Sequence, residues 1–352
     1  MDQVTCVLAN GFAAMIDIPG LNYRAHRYKE AYDQLPQNLI LGSETASTVS
    51  SRGVYKFPVE DKKSATYDDH QCSSYDVEAC SWSNIPDEDF ALADDNHWTI
   101  GQFVWTGFDY LGEPSPYDTN AWPNHSSMFG IIDLASIPKD RYYLYRSVWN
   151  KNAETLHVLP HWTWPGREGK VTPLFVYTNH PTAELFINGK SYGKQSKNNS
   201  SLKNRYRLMW MDAVYEPGEI KVVAYNKDRK AVAEKIVRTA GKPHHIELVS
   251  NRNELTADGK DLAYITVKVV DKDGNLCPAD SRQINFSVKG AGKYRAAANG
   301  DPTNLEQFHL PKMHAFNGML TAIVQSGETA GEIVLTAKAS GVKAGNIRIQ
   351  TK

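Results

Sequence analysis

Apolar and polar positions alternate along this chain in two styles. The change from one to the other falls near residue 150. In the first part, two apolar runs of strand length end abruptly in reactive side chains. Leu39–Ser47 reads LILGSETAS, with Leu39, Ile40 and Leu41 leading to Glu44. Gly101–Pro114 reads GQFVWTGFDYLGEP, with Phe103, Val104 and Trp105 leading to Asp109, Tyr110 and Glu113. A strand that is apolar on both faces and polar at its carboxyl end is the pattern of a parallel strand in a β/α barrel. Reactive groups of that fold gather at the carboxyl ends of its strands, so Glu44 sits where catalysis would occur. A buried-strand Glu that merely caps the following helix reads the same way on these residues alone.

The rest of the first part alternates strands with helical stretches. The pattern predicts strands at Val4–Leu8, Met15–Ile18, Leu39–Leu41 and Gly101–Thr106. Helical spacing runs over Arg24–Leu35, where Pro36 stops it, over Asp87–Asp94, behind Pro86, and over Tyr142–Trp149. Strand, helix, strand, helix implies a parallel sheet with right-handed crossovers.

From about residue 155 no helical spacing is expected. Short strands are predicted at Val171–Thr178, Thr182–Ile187, Gly193–Lys194, Tyr206–Val214, Gly218–Asn226 and Val232–Arg238. Asn188–Gly189 is a hairpin signal, because both residue types tolerate positive φ. Pro243 opens a second series: Ile246–Ser250, Ala263–Val270, Ile284–Lys289, Gly318–Gln325 and Glu332–Ala339, with a turn at Asp271–Asn275. The expected fold is α/β plus all-β, namely the second half of a (β/α)8 TIM barrel over 1–150 and immunoglobulin-like β-sandwiches over 155–240 and 243–352. Trp162 and Trp164, at the first junction, are expected to pack against the barrel.

Composition narrows the function classes. With 352 residues, two or three domains are expected, and a net charge of −1 gives no electrostatic case for nucleic acid or an anionic membrane. No apolar run approaches the roughly 18 residues of a spanning helix. The opening MDQVTCVLANGF lacks the pattern of a signal peptide. Four cysteines are too few for a disulfide scaffold; Cys72, Cys80 and His70 match no zinc spacing, so free thiols and no metal or cofactor are expected. Eight Trp and 18 Tyr supply rings that stack on sugar faces or simply fill cores.

Five stretches carry a resemblance. GSETAS, GQFVWTGFDYLGEPSPY and FGIIDLASIPKDRYYLYRSVW resemble the carboxyl half of glycoside hydrolase family 2 barrels, most closely those of β-galactosidases from gut Bacteroidetes. HVLPHWTWPGREGKVTPLFVYTNHPTAELFINGKSYGKQ and NGDPTNLEQFHLPKMHAFNGMLTAIVQSG are similar to the two sandwiches that follow. The resemblance implies that Glu44 is the nucleophile of retaining glycoside hydrolysis and that Tyr23 hydrogen-bonds it. It also implies that Asn22 lies beside the sugar and that Trp105 walls the pocket. Asp109 and Glu113 either bind sugar hydroxyls or cap loops and pair with Arg.

Retaining hydrolysis needs a second carboxyl group, about 5–5.5 Å from the first, to protonate the leaving oxygen. In the family this is the Glu of an Asn-Glu pair on strand four, and no such pair precedes Glu44; Asn253–Glu254 falls in the terminal sandwich. Taking Val4–Leu8 as strand five makes Met15–Ile18 six, Leu39–Leu41 seven and Gly101–Thr106 eight. The expectation is an exo-β-galactosidase portion, inactive alone, whose partner is a complementing amino-terminal half or a second copy. The substrate expected is a β-galactoside oligosaccharide or glycan. A non-catalytic carbohydrate-binding or scaffold remnant, an adhesin-like spacer and a β-mannosidase are the alternatives. Family β-glucuronidases carry Asn-x-Lys where Ser127, Met128 and Phe129 precede Gly130, a neutral trio that cannot pair a uronate carboxylate. Kinship implies a periplasmic or secreted parent protein.

Overall fold

The computed structural model, which describes residues 1–352, opens on a helix rather than a strand. Val4–Ala9 is α1, and its buried face is Val4, with Val7 and Leu8 packed beside it. Those positions follow helical i, i+3, i+4 spacing, which a short β-branched run disguises as a strand. Met15–Ile18 is not a strand either. A 3-10 turn covers Phe12–Met15, and the first strand, β1, is Gly20–Asn22. Met15 and Ile18 are exposed, whereas Leu21 in β1 is fully buried. The apolar residues that suggested a strand therefore do not enter the core, and the strand-five and strand-six assignments are both displaced.

The helical stretch after β1 divides into a 3-10 turn at Ala25–Arg27 and α2 at Tyr28–Gln34. The run around Glu44 forms β2, Ile40–Thr45. A two-residue pair, β3 (Lys62–Lys63) and β4 (Glu78–Ala79), holds the long loop after it. Then come α3 (Pro86–Asp95), with Pro86 at its first turn, β5 (Thr99–Val104) and α4 (Asp140–Trp149). β1, β2 and β5 make a parallel three-stranded sheet in that order. Leu21, Tyr28, Ala31, Leu35, Ile40 and Trp98 bury its floor, and Tyr32 stacks on Trp98 at 4.5 Å. The outer edges of β1 and β5 carry no strand partner.

Beyond residue 150 the molecule is mostly β-sheet. A first pair of sheets is built from β6 (Leu156–Leu159), β7 (Leu174–Thr178), β8 (Thr182–Ile187), β9 (Lys190–Ser196), β10 (Leu208–Trp210), β11 (Glu219–Tyr225) and β12 (Ala231–Arg238). Their orders are β10-β7-β6 and β12-β11-β8-β9. The expected hairpin at Asn188–Gly189 is present, with φ of 48° and 78° at its two residues. One helix interrupts the sheets. Leu202–Tyr206, α5, starts where the Ser201 hydroxyl accepts the Asn204 N–H at 3.1 Å, so the strand expected over Tyr206–Val214 shortens to β10.

The second pair comprises β13 (His245–Ser250), β14 (Glu254–Leu255), β15 (Leu262–Val270), β16 (Gln283–Gly290), β17 (Gly292–Ala298), β18 (Lys312–His314), β19 (Met319–Ser326), β20 (Gly331–Lys338) and β21 (Gly345–Thr351). Its sheets run β13-β15-β19-β17 and β14-β21-β20-β16-β18 around the largest apolar core in the chain.

Buried arginines tie the parts together. Arg207, beside β10, donates from Nε to Asp87 of α3 at 2.9 Å and from its Nη atoms to the carbonyls of Tyr75 (3.1 Å) and Asp76 (3.0 Å). Arg52 donates to Asp133 at 2.6 Å and to two carbonyls of the terminal sheets, Asn299 at 2.7 Å and Phe316 at 3.1 Å. Asn317 returns a bond to the Arg52 carbonyl at 2.6 Å. Of the two junction tryptophans, only Trp164 meets the first part, edge-on to Tyr55 and Phe57. Trp162 lies instead inside the first sandwich, fully buried against Tyr215, with its indole donating to Glu216. All four cysteines are free.

Candidate active site

Glu44 is held where β1 and β2 end. The two strands pair Gly20 with Leu41 and Leu21 with Gly42, and then the register slips so that Asn22 faces Glu44. Without that irregularity Asn22 would oppose Ser43. Gly42 permits the close approach of neighbouring chains, since a Cβ there would lie 2.7 Å from Thr45 Cγ2 and 3.1 Å from the Tyr28 hydroxyl.

The slip brings two donors to one carboxylate. Asn22 Nδ2 donates to Glu44 Oε1 at 2.8 Å, and the Tyr23 phenol donates to Oε2 at 2.9 Å. Ser43 Oγ donates to Asn22 Oδ1 at 2.7 Å, which turns the amide's NH2 toward Glu44. Tyr23 takes a left-handed φ of 52°, and its N–H donates to the Glu44 carbonyl at 2.6 Å. Burial pushes the phenol pKa well above its ordinary range; the Ser47 hydroxyl works against the shift and Glu44 adds to it. Tyr23 therefore stays a protonated donor at physiological pH. Glu44 itself is half-buried, with one donor fixed on each oxygen. That is the arrangement required of a carboxylate that attacks along one direction.

Trp105 follows directly. Its N–H donates to the Thr45 carbonyl at 2.9 Å, so the indole is placed next to Glu44's strand, and Tyr110 meets it edge-on with centroids 6.1 Å apart. The Trp105–Thr106 peptide is cis. Glu113 stands exposed on the loop beyond, accepting a hydrogen bond from the Tyr110 phenol.

Asp109 does not join this group. It is buried, with Oδ1 accepting the Gly130 N–H at 2.7 Å and Oδ2 paired with Lys139 at 2.6 Å. Burial raises its pKa to about 6 despite Lys139. Both oxygens are thus taken up by the protein, one by the Gly130 N–H and the other by Lys139 rather than by an arginine. The closure demands Gly130, where a Cβ would fall 2.2 Å from the Asp109 nitrogen. Arg141 of α4 fixes the same turn through the carbonyls of Phe129 (2.7 Å) and Gly130 (2.9 Å).

Sequence reasoning gave Ser43 no role and named Tyr110 only as one of the polar residues ending its run. Ser43 is a small hydroxyl one step before Glu44, and only the slipped register reveals its use. Tyr110 is detectable as an aromatic between Trp105 and Glu113. The larger cavities lie away from Glu44: a 700 Å³ cleft lined by Arg238, Lys242 and Asp271, and a 550 Å³ one lined by Tyr55, His161 and Lys235.

Known proteins share this organisation. Residues 246–348 match the glycoside hydrolase family 2 C-terminal domain 5, and residues 169–233 match a domain of unknown function, DUF4982. The β-galactosidase BoGH2A of Bacteroides ovatus is 38% identical over 349 residues, covering 97% of this chain and 40% of that protein. A putative β-glucuronidase of Formosa agariphila is 34% identical over 211 residues, 59% of this chain and 20% of its own length. Among solved structures, a β-glycosidase from Bacteroides vulgatus superposes with a TM-score of 0.83 at 29% identity, over 96% of this chain and 45% of that one. A family 2 member from Bacteroides cellulosilyticus gives 0.78 at 27% identity, over 97% and 43%. Fold and matches together define a portion of a glycosidase. The chain belongs to glycoside hydrolase family 2, as a carboxyl-terminal portion spanning less than half the length of these relatives.

Proposed function

We infer that this chain supplies the nucleophile-bearing part of a retaining exo-β-galactosidase. The observation that carries the reading is the clamped carboxylate, with Asn22 at 2.8 Å on one oxygen of Glu44 and Tyr23 at 2.9 Å on the other. β1, β2 and β5 then correspond to strands six, seven and eight of the barrel, with α1 as the helix before strand six. Residues 155–240 and 243–352 form immunoglobulin-like domains behind it. Glu44 attacks the anomeric carbon, and a second carboxyl group from the amino-terminal barrel half protonates the leaving oxygen and later activates water. Trp105 offers the sugar a flat apolar wall.

Relatives bear both β-galactosidase and β-glucuronidase names. The galactoside reading is favoured by the turn before Gly130, where Ser127, Met128 and Phe129 are buried and uncharged. A uronate carboxylate placed there would stand unpaired, at an expense of several kcal/mol.

The test uses the enzyme that joins this chain to its amino-terminal half. A 2-deoxy-2-fluoro-β-galactoside should label Glu44, and Glu44→Gln should lose turnover by more than the roughly 10²–10⁴-fold typical of a lost general acid or base. Label on another carboxylate would refute the assignment. Residues 1–352 alone should not hydrolyse lactose; turnover that Glu44→Gln abolishes would mean the second carboxylate lies within this chain.

A further inference from the structure

We propose that Glu113 is the substrate-contact residue that accepts a hydroxyl of the bound sugar and repels sugars bearing a carboxylate, a role that rests on the reading of Glu44 as nucleophile. Glu113 lies on the loop beyond β5 and is exposed, with a φ of 47° that a non-glycine rarely adopts. Its loop is nonetheless fixed. The Gly112 N–H donates to the His125 carbonyl at 2.8 Å, the Ser127 N–H to the Tyr110 carbonyl at 2.8 Å, and the Tyr110 N–H to Ser127 Oγ at 3.0 Å.

The carboxylate is aimed as well. One oxygen accepts the Tyr110 phenol, Tyr110 packs edge-on against Trp105, and Trp105 is bonded through its backbone to the residue after Glu44. Two rings thus connect Glu113 to the strand that carries Glu44. The negative charge of Glu113 adds, as the smallest contribution, to the upward shift of the Tyr23 phenol that also binds Glu44. The other oxygen of Glu113 has no protein donor, and no cation lies within ion-pair distance. Lys139, which pairs with Asp109 of the same loop, is buried and occupied further by the Ser50 carbonyl at 2.7 Å and the Met128 carbonyl at 3.3 Å. An exposed, oriented carboxylate with a free oxygen is an acceptor for sugar hydroxyls. Its unneutralised charge, beside that of Glu44, opposes a second anion in the same pocket.

The test is the enzyme that joins this chain to its amino-terminal half, assayed with p-nitrophenyl β-galactoside and β-galacturonide, which differ only at the carboxylate. A charge-assisted hydrogen bond sets the scale of the loss. Glu113→Gln should lower kcat/KM for the galactoside about 10–100-fold and raise the galacturonide-to-galactoside ratio at least about tenfold. Glu113→Asp, which keeps the charge, should hold the ratio near the parent value. Tyr110→Phe should shift the ratio the same way by less. Fluorogalactoside labelling is run on Glu113→Gln in parallel. Labelled Glu44 with an unmoved ratio overturns this proposal alone; label on another carboxylate overturns the nucleophile and this proposal with it.

Discussion

Arg207 gives the sharpest test of how the parts of the molecule are joined. Both it and Asp87 have side chains fully excluded from solvent, and the guanidinium also satisfies the carbonyls of Tyr75 and Asp76. Arg207→Met keeps the apolar stem and leaves Asp87 buried without its cation. Stranding one partner of a buried pair costs about 3–5 kcal/mol, whereas removing both charges together costs far less. For a protein of this size that is about 4–7 °C in melting temperature. Guanidinium unfolding followed by tryptophan fluorescence would be measured for Arg207→Met, Asp87→Leu and the double variant. Each single change should cost about 3–5 kcal/mol and the pair about 1–2 kcal/mol, a strongly non-additive cycle. Arg205→Met is the control. Its bridge to Asp95 lies at the surface, where Asp95 keeps 58% of its side-chain area exposed, so the loss should stay below about 1 kcal/mol. A single Arg207 variant within about 1 kcal/mol of the parent, or a double variant equal to the sum of the singles, would refute the reasoning.

Two further outcomes are expected. Gly130→Ala should destabilise by at least about 2 kcal/mol, because the added carbon meets the Asp109 backbone nitrogen and no flexible side chain can yield there; an unchanged melting temperature would contradict it. Burial holds the Asp89 carboxyl at about 7, with Asn84 opposing and the charges of Glu88 and Asp87 adding, so the folded state keeps a proton that the unfolded chain releases near pH 4. Stability from this group therefore falls as pH rises from about 4 to 7, by up to about 4 kcal/mol, and Asp89→Asn should flatten that fall in melts at pH 5 and 8.

Some of this was legible in the sequence and some was not, for identifiable reasons. β2 and β5 read clearly because each is a short apolar run that ends in polar side chains, although Ile100 and Phe103 of β5 are exposed in the structure. α1 read as a strand because six residues, three of them β-branched, are too few to separate the two periods. β1 was invisible, for three residues cannot display any alternation. Glu44, Asn22, Tyr23 and Trp105 were all nameable, yet their meeting depends on a slip in strand register that no local pattern encodes. Asp109 stayed ambiguous because its partner Lys139 lies in a different segment. Trp162 and Trp164 look alike in sequence, and only the side each faces separates a core ring from a junction ring.

The anchoring of Arg52 bears on how such an enzyme can be rearranged. Its guanidinium reaches from the loop following Glu44 to carbonyls of Asn299 and Phe316, near the far end of the chain. Exchanging the terminal domain for one from another glycosidase would transplant a fold and leave an arginine aimed at vacant space, with Asp133 its only remaining partner. A successful chimera must carry those carbonyl-bearing loops along with the domain, which ties the last hundred residues structurally to the loop that follows Glu44.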